Sequence, residues 1–165
     1  MSVVFIRSAI INDSRFRLIS SSCNLGVSAS RNIALDCFGQ YVAFLDSDDL
    51  WHSELLASAV SCFLDGEDFV YTSVLRFLDT PSRPSFLKSA PSVLSFSSLK
   101  LNNHIPLLTA VFRSSLLDSS IRFAQQRPED YIFWINLFKS NHGLVGRHID
   151  SKPLAYYRVS LNQRS

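Results

Sequence analysis

The stretch GQYVAFLDSDDLW, residues 39–51, decides how this sequence is read. Tyr41, Val42, Ala43, Phe44 and Leu45 form an unbroken apolar run of strand length, the pattern of a strand covered on both faces. It ends at once in Asp46, Ser47, Asp48 and Asp49, so three carboxylates crowd one strand end. In open α/β sheets the crevice beyond the carboxyl ends of the strands takes ligands, so the position matters as much as the composition. A divalent cation, Mg²⁺ or Mn²⁺, relieves such crowding, because these ions prefer hard oxygen ligands and commonly share one or two carboxylates with substrate phosphates. The simpler alternative is that Asp48 or Asp49 caps the next helix and Asp46 is merely solvated. It leaves unexplained why all three follow an apolar run.

Upstream, Gly26 precedes a stretch in which Val27, Arg31, Ala34, Leu35 and Phe38 fall on one face at helical spacing. Arg31 therefore stands on the apolar side. A guanidinium keeps its proton at ordinary pH, so burial there calls for an anionic partner, a carboxylate or a phosphate. The nearest candidates begin at Asp46. A purely structural salt bridge, or a head group that snorkels to water, meets the same demand.

Working further outward, strand-like runs occur at 16–19, 41–45, 69–74, 108–112 and 154–159, with helical periodicity between them. The clearest helix follows Ser53 as its expected N-cap, with Leu55, Leu56, Ala59, Val60 and Phe63 on one face. Strands alternating with helices predict an α/β sheet. Residues 79–92 hold Pro81, Pro84 and Pro91 among serines, without a hydrophobic period, and predict an exposed loop. In RPEDYIFWINL, residues 127–137, Pro128 suits a helix start and Glu129 and Asp130 suit its positive end, which dipole stabilisation alone could explain. Tyr131, Trp134, Ile135 and Phe138 form an apolar stripe with Ile132, Phe133 and Leu137 off it, so a well-buried helix with a firmly held acidic start is expected.

The segment NLGVSASRNIAL, residues 24–35, followed by residues 39–51, resembles the family 2 glycosyltransferases. An asparagine-glycine turn and a Ser-Arg-Asn helix start precede a strand ending in Asp-X-Asp, in the family's order. RPEDYIFWINL is similar to the family's Glu-Asp motif, and KPLAYYRVS, residues 152–160, to its closing strand, with Ser160 near where a histidine often stands. The resemblance implies a GT-A fold, a Rossmann-like mixed sheet flanked by helices, and sugar transfer with inversion from a nucleotide-sugar, a UDP-sugar by expectation. It implies that Asp46 and Asp48 contact the donor, that Asp48 and Asp49 hold Mn²⁺ or Mg²⁺, and that Arg31 contacts the donor nucleotide. Asp130, supported by Glu129, would remove the proton from the acceptor hydroxyl. By the same analogy the acceptor is a growing surface polysaccharide or a lipid-linked glycan, in a cytoplasmic setting that includes peripheral contact with the inner face of the membrane. The family's opening strand–helix–strand, with its Pro-X-Tyr-Asn-like and Asp-Asp-Gly-Ser motifs, has no counterpart here. The resemblance therefore implies an N-terminally truncated domain over residues 1–165, with an inactive remnant or binding module as the alternative reading.

Bulk properties narrow the choice. With 47% apolar and 18% charged residues the chain is built to pack rather than to stay disordered. Sixteen Lys plus Arg against fourteen Asp plus Glu lack the basic footprint of a nucleic-acid binder. Arg7 interrupts the opening run Val3–Ile6, and no apolar run reaches membrane-spanning length, so the sequence reads as that of a soluble chain. Cys23, Cys37 and Cys62 are an odd number without metal-type spacing and are expected to be buried, reduced thiols. His52, His104, His142 and His148 show no close pairing and receive no role. A different phosphate-handling enzyme would need a Walker-type glycine loop, which is absent.

Overall fold

The computed structural model describes residues 13–37, 39–78, 84–149 and 152–159. The apolar run at 3–6, Phe38 and Ser160 lie outside them. The chain order is α1 (Val27–Leu35), β1 (Tyr41–Ala43), β2 (Leu50–Trp51), α2 (Leu55–Leu64), β3 (Phe69–Tyr71) and β4 (Val74–Phe77), then β5 (Pro84–Lys88), β6 (Val93–Ser95) and α3 (Phe96–Leu99). After these come β7 (Ala110–Arg113), α4 (Glu129–Ser140), β8 (Val145–His148) and β9 (Ala155–Arg158). One sheet runs β1-β7-β3-β8-β6 and a second runs β2-β9-β4-β5. Both are mixed, with β3–β8 and β4–β9 parallel and the other pairs antiparallel.

Strand alternation divides the five-stranded sheet between two cores. Phe69 and Tyr71 of β3, with Ala110 and Phe112 of β7, face α4; Val70 and Val111 face the other way, onto Ala59 and Phe63 of α2. On the α4 side Trp134 meets Phe69 edge-on at 5.4 Å and Phe133 stacks on Phe123 at 4.2 Å. On the α2 side Tyr41 stacks on Phe63 at 4.5 Å. Truncating a fully buried ring such as Trp134 to alanine costs about 3–5 kcal/mol, so these contacts hold the layers together. Gly146 of β8 is required where it stands: a Cβ there would lie 2.9 Å from Phe69 Cδ1 and 3.3 Å from Leu94 Cβ.

Several expectations change. Residues 16–19 form no strand; they are irregular and exposed. The run at 41–45 is a strand only over Tyr41–Ala43, with Val42 buried and Leu45 exposed, and among the described residues it pairs on one edge only, with β7. The apolar run at 69–74 is two strands in different sheets, because Thr72 and Ser73 interrupt it. Thr72 Oγ1 accepts from Leu154 N–H at 3.0 Å, and Ser73 Oγ accepts from Ala90 N–H at 3.3 Å, so the chain crosses between sheets with its buried hydroxyls bonded. The run at 108–112 begins as a 3-10 turn, Leu107–Thr109, before β7. Ser53 does not cap α2; Glu54 holds that position, its N–H donating to His52 Nδ1 at 3.3 Å, and Leu56 and Val60 are exposed. In the 79–92 loop, β5 forms an edge strand against β4, since Phe86 and Lys88 can pair without a hydrophobic period; residues 79–83 lie outside the described set. The buried stripe of α4 is Phe133, Trp134, Leu137 and Phe138, with Tyr131 and Ile135 only half-buried. On α1 it is Ser28 and Leu35 that are buried, while Val27 and Ala34 are exposed. Cys23 and Cys37 are exposed and Cys62 is half-buried; all three are free thiols.

Candidate active site

Beyond Ala43 the chain leaves the sheet but not the core. Phe44 packs edge-on against Phe123 at 5.2 Å and Phe133 at 6.0 Å, so the backbone is pinned over the start of α4. Asp46 follows immediately. Its carbonyl accepts the Asp49 N–H at 3.1 Å, closing a tight turn through Ser47 and Asp48. Past the turn, β2 joins the second sheet, where Leu50 pairs with Tyr156 and Trp51 with Ala155. The Trp51 indole N–H donates to Leu108 O at 2.8 Å. The acidic turn is thus suspended between the two sheets.

Arg31 reaches this turn from α1. Its Nη2 donates to Asp46 Oδ1 and Oδ2 at 2.8 and 3.0 Å, and its Nη1 to Glu129 Oε1 at 3.2 Å. The guanidinium also lies over the Phe123 ring, 5.4 Å from its centre. With its side chain only 13% exposed, it depends on these two carboxylates for compensation. The anionic partners expected for a core-facing arginine are therefore protein groups, one from each acidic motif.

Arg31, Asp46, Asp49, Glu129 and Asp130 line one cleft of about 210 Å³, walled by Pro106–Leu108 and Tyr157. Asp130 Oδ1 accepts from Tyr131 N–H at 2.7 Å, and its Oδ2 lies 3.5 Å from the donating Asn103 Nδ2. Asp49 is 5% exposed and accepts the Arg158 backbone N–H on Oδ1 at 2.9 Å. Burial raises its pKa to about 6, opposed by that N–H and reinforced by the charges of Asp48 and Asp46. Asp48 is exposed and does not line the cleft; its carbonyl accepts from Arg158 Nε at 3.0 Å. Among the described residues no group of three or more His, Cys, Asp or Glu side chains is arranged as a ready-made metal cage.

Comparison with known proteins now bears on the arrangement. A profile described as "Glycosyl transferase family 2" matches residues 2–120 of the 165. The chain belongs to glycosyl transferase family 2. Among its relatives is the Escherichia coli protein named UDP-Glc:alpha-D-GlcNAc-diphosphoundecaprenol beta-1,3-glucosyltransferase WfgD, 31% identical over 133 residues, which are 79% of this chain and 51% of that one. Another is the putative teichuronic acid biosynthesis glycosyltransferase TuaG of Bacillus subtilis, 29% identical over 161 residues, 93% of this chain and 60% of the relative. The chain therefore spans about half to three-fifths of the length of these relatives. The S. aureus TarS 1-349 structure in complex with UDP superposes with a TM-score of 0.71 at 23% identity, covering 96% of this chain and 48% of that one. The fold is GT-A, as the family resemblance implied. The profile ends before Glu129 and Asp130, so the placement of this pair opposite Asp46 rests on the geometry of the cleft.

Sequence reading missed Asn103, Pro106 and Leu107 as parts of the cleft, since irregular and short 3-10 segments carry no periodic signal. Arg158 of the closing strand holds the acidic turn.

Proposed function

We propose that this glycosyltransferase domain moves a sugar from a nucleotide-sugar, a UDP-sugar, to an acceptor hydroxyl with inversion, in the building of a surface polysaccharide or other glycan. One observation carries the reading: Asp46 and Asp130, far apart in sequence, line the same cleft with Arg31 tying their two motifs together. The acceptor is a glycan or a lipid-linked sugar, by analogy with the relatives' names. The site of action by the same analogy is the cytoplasm, at the inner face of the membrane; no helix among the described residues is long and apolar enough to cross one.

The donor set suits a hard divalent cation. Asp46 and Asp49 bring carboxylate oxygens to the cleft with Asp48 beside them, and burial, reinforced by the charges of Asp48 and Asp46, raises the pKa of Asp49. Asp48 and Asp49 would hold Mn²⁺ or Mg²⁺, with Asp46 and Arg31 toward the donor. A cation there supplies Lewis-acid stabilisation to a departing nucleoside diphosphate. The chain's own part lies across the cleft. Asp130 accepts the proton of the acceptor hydroxyl as its oxygen bonds to the anomeric carbon, and the bond from that carbon to the diphosphate oxygen breaks on the opposite face. The Tyr131 N–H and the Asn103 amide orient the Asp130 carboxylate, while Glu129, locked by Arg31, fixes the first turn of α4.

Release of nucleoside diphosphate from UDP-sugars, with and without Mn²⁺, tests the proposal together with Asp130→Asn. Turnover falls by about 10²–10⁴ in the variant while UDP binding persists. Unchanged turnover removes Asp130 from the base role. A second reading, binding without turnover, is favoured by the open edge of β1 among the described residues and by exposed Val27, Ile33 and Leu45 nearby. UDP binding with no turnover on any donor would select it.

A further inference from the structure

A second cleft of about 210 Å³ adjoins the first, sharing Pro106, Asp130 and Tyr157 with it and walled by Val74, Arg76, Lys88 and Asn103. Val74 pairs with Lys88 across β4 and β5, and Arg76 pairs with Tyr157 across β4 and β9, so one face of the second sheet carries all four toward Asp130. Asn103 comes from the coil that follows α3. Among the described residues the coil 102–105 makes no backbone–backbone hydrogen bond, and Ile105 is its buried apolar anchor. Lys88 supplies a polar one, its Nζ donating to Asn103 O at 3.2 Å.

The Asn103 side chain faces the acid. Its Nδ2 lies 3.5 Å from Asp130 Oδ2, and exchanging the two amide atoms would set an oxygen against the carboxylate, so the orientation is the one chemistry prefers. Its Oδ1 is buried without a hydrogen-bond partner, so the aim of the amide is set by the main chain behind it. Asp130 Oδ1 is held by the adjacent Tyr131 N–H at 2.7 Å, which leaves Asn103 to fix the turn of the carboxylate about its Cβ–Cγ bond. Charge adds to the contact. Arg76, Tyr157 and Asp130 are the ionisable side chains that line this cleft with Lys88, and Asp130 is the one carboxylate among them. Burial and Arg76 lower the pKa of Lys88 and Asp130 opposes them, so the ammonium and the carboxylate stabilise each other across the cleft.

We infer that Lys88 is a positioning residue for the transfer step: by gripping the Asn103 main chain it holds the side-chain amide that aims the Asp130 carboxylate. The inference rests on the sugar-transfer reading, in which Asp130 is the base, and adds to it a residue that acts on the base through another. A base must present an oxygen lone pair to the acceptor hydroxyl, so an error of aim slows proton transfer. Lys88 does not line the first cleft, where Arg31 and Asp46 stand, so donor binding is independent of it.

UDP release from UDP-glucose in the presence of a decyl diphosphate-linked N-acetylglucosamine tests it. In Lys88→Met kcat falls about tenfold, short of the roughly hundredfold cost of a 1 Å misplacement, and the KM for UDP-glucose keeps its wild-type value. Lys88→Arg, which retains a cationic donor at the wall, restores most of the loss. Because both residues belong to one link, adding Lys88→Met to Asn103→Ala lowers kcat no further. Two readouts need no turnover. Hydrogen exchange at the amides of 102–105 speeds up in Lys88→Met while that of α2 does not change. The Lys88 ammonium, followed by carbon-13 NMR, titrates at lower pH in Asp130→Asn, because the charge that favours its proton is gone. Wild-type kcat in Lys88→Met, full additivity of the two substitutions, or unchanged exchange together with an unchanged Lys88 titration overturns the inference. If the wild-type chain turns over no UDP-sugar, the failure belongs to the sugar-transfer reading, and exchange and titration decide the Lys88 link by themselves.

Discussion

Arg158, in the last strand, donates its backbone N–H to Asp49, 109 residues earlier in the chain, at 2.9 Å. Its Nε donates to the Asp48 carbonyl at 3.0 Å, and its guanidinium lies over Phe77 at 4.7 Å. The closing strand therefore holds the acidic turn by one backbone and one side-chain hydrogen bond, while stacking on Phe77 steadies the guanidinium.

Arg158→Ala keeps the backbone bond and removes the other two contacts. The turn loosens, and binding of UDP with Mn²⁺ weakens by about 5- to 10-fold, in line with the loss of one hydrogen bond made by a charged group. Calorimetric titration of the variant checks this. Unchanged binding would show that the turn holds its shape without the side chain.

Arg31 bridges Asp46 and Glu129, so Arg31→Met leaves the half-buried Glu129 facing the exposed Asp46 without a cation. Stability falls by about 1 kcal/mol, the low end of the cost of an unpaired buried polar group, because solvent screens Asp46. Arg31→Lys recovers only part of it, because a single ammonium cannot span both acids as a planar fork does. Urea unfolding of the three proteins measures the order.

Asp49 has a pKa of about 6 in the folded chain against an ordinary value near 3.8, chiefly because it is buried. A folded-state pKa above the unfolded one means that the folded chain holds this proton more tightly. The associated stability is full below about pH 4 and is lost as pH rises to about 6, then stays constant. Asp49→Asn keeps an acceptor for the Arg158 N–H and removes the titration. With metal chelated, the variant exceeds the wild type by roughly 1 kcal/mol at pH 7, after allowing for the solvent that reaches the turn, and the two converge near pH 4. Unfolding midpoints across that range decide it; a gap independent of pH would contradict the assignment.

Gly146→Ala places a methyl group 2.9 Å from Phe69 Cδ1, on a ring itself fixed by Phe112, Trp134 and Phe138. The ring cannot yield without disturbing the α4 packing, so a loss of about 1–3 kcal/mol is expected. Thermal unfolding shows it, and an unchanged midpoint would mean that β8 shifts to accommodate the methyl.

The run from Tyr41 into three aspartates, Arg31 on a helix beside buried Leu35, and the Glu129–Asp130 start of α4 are local patterns. Each follows from the chemistry of a few neighbouring side chains, so they could be read off the chain, as could the family that unites them. Sheet membership could not be read this way: 69–74 looks like one strand, yet at Thr72 and Ser73 the chain passes from one sheet to the other with both hydroxyls hydrogen-bonded. The partners of Arg31 and the layout of the cleft are likewise tertiary. Glu129 lies 98 residues from Arg31, Asn103 meets Asp130 from 27 residues away, and Lys88 reaches the Asn103 carbonyl from β5, which pairs with β4 inside the segment whose prolines suggested a loop. Periodicity reports which face of an element is apolar; it carries no term for which distant element covers that face. Packing and hydrogen-bond satisfaction across the whole chain supply that term.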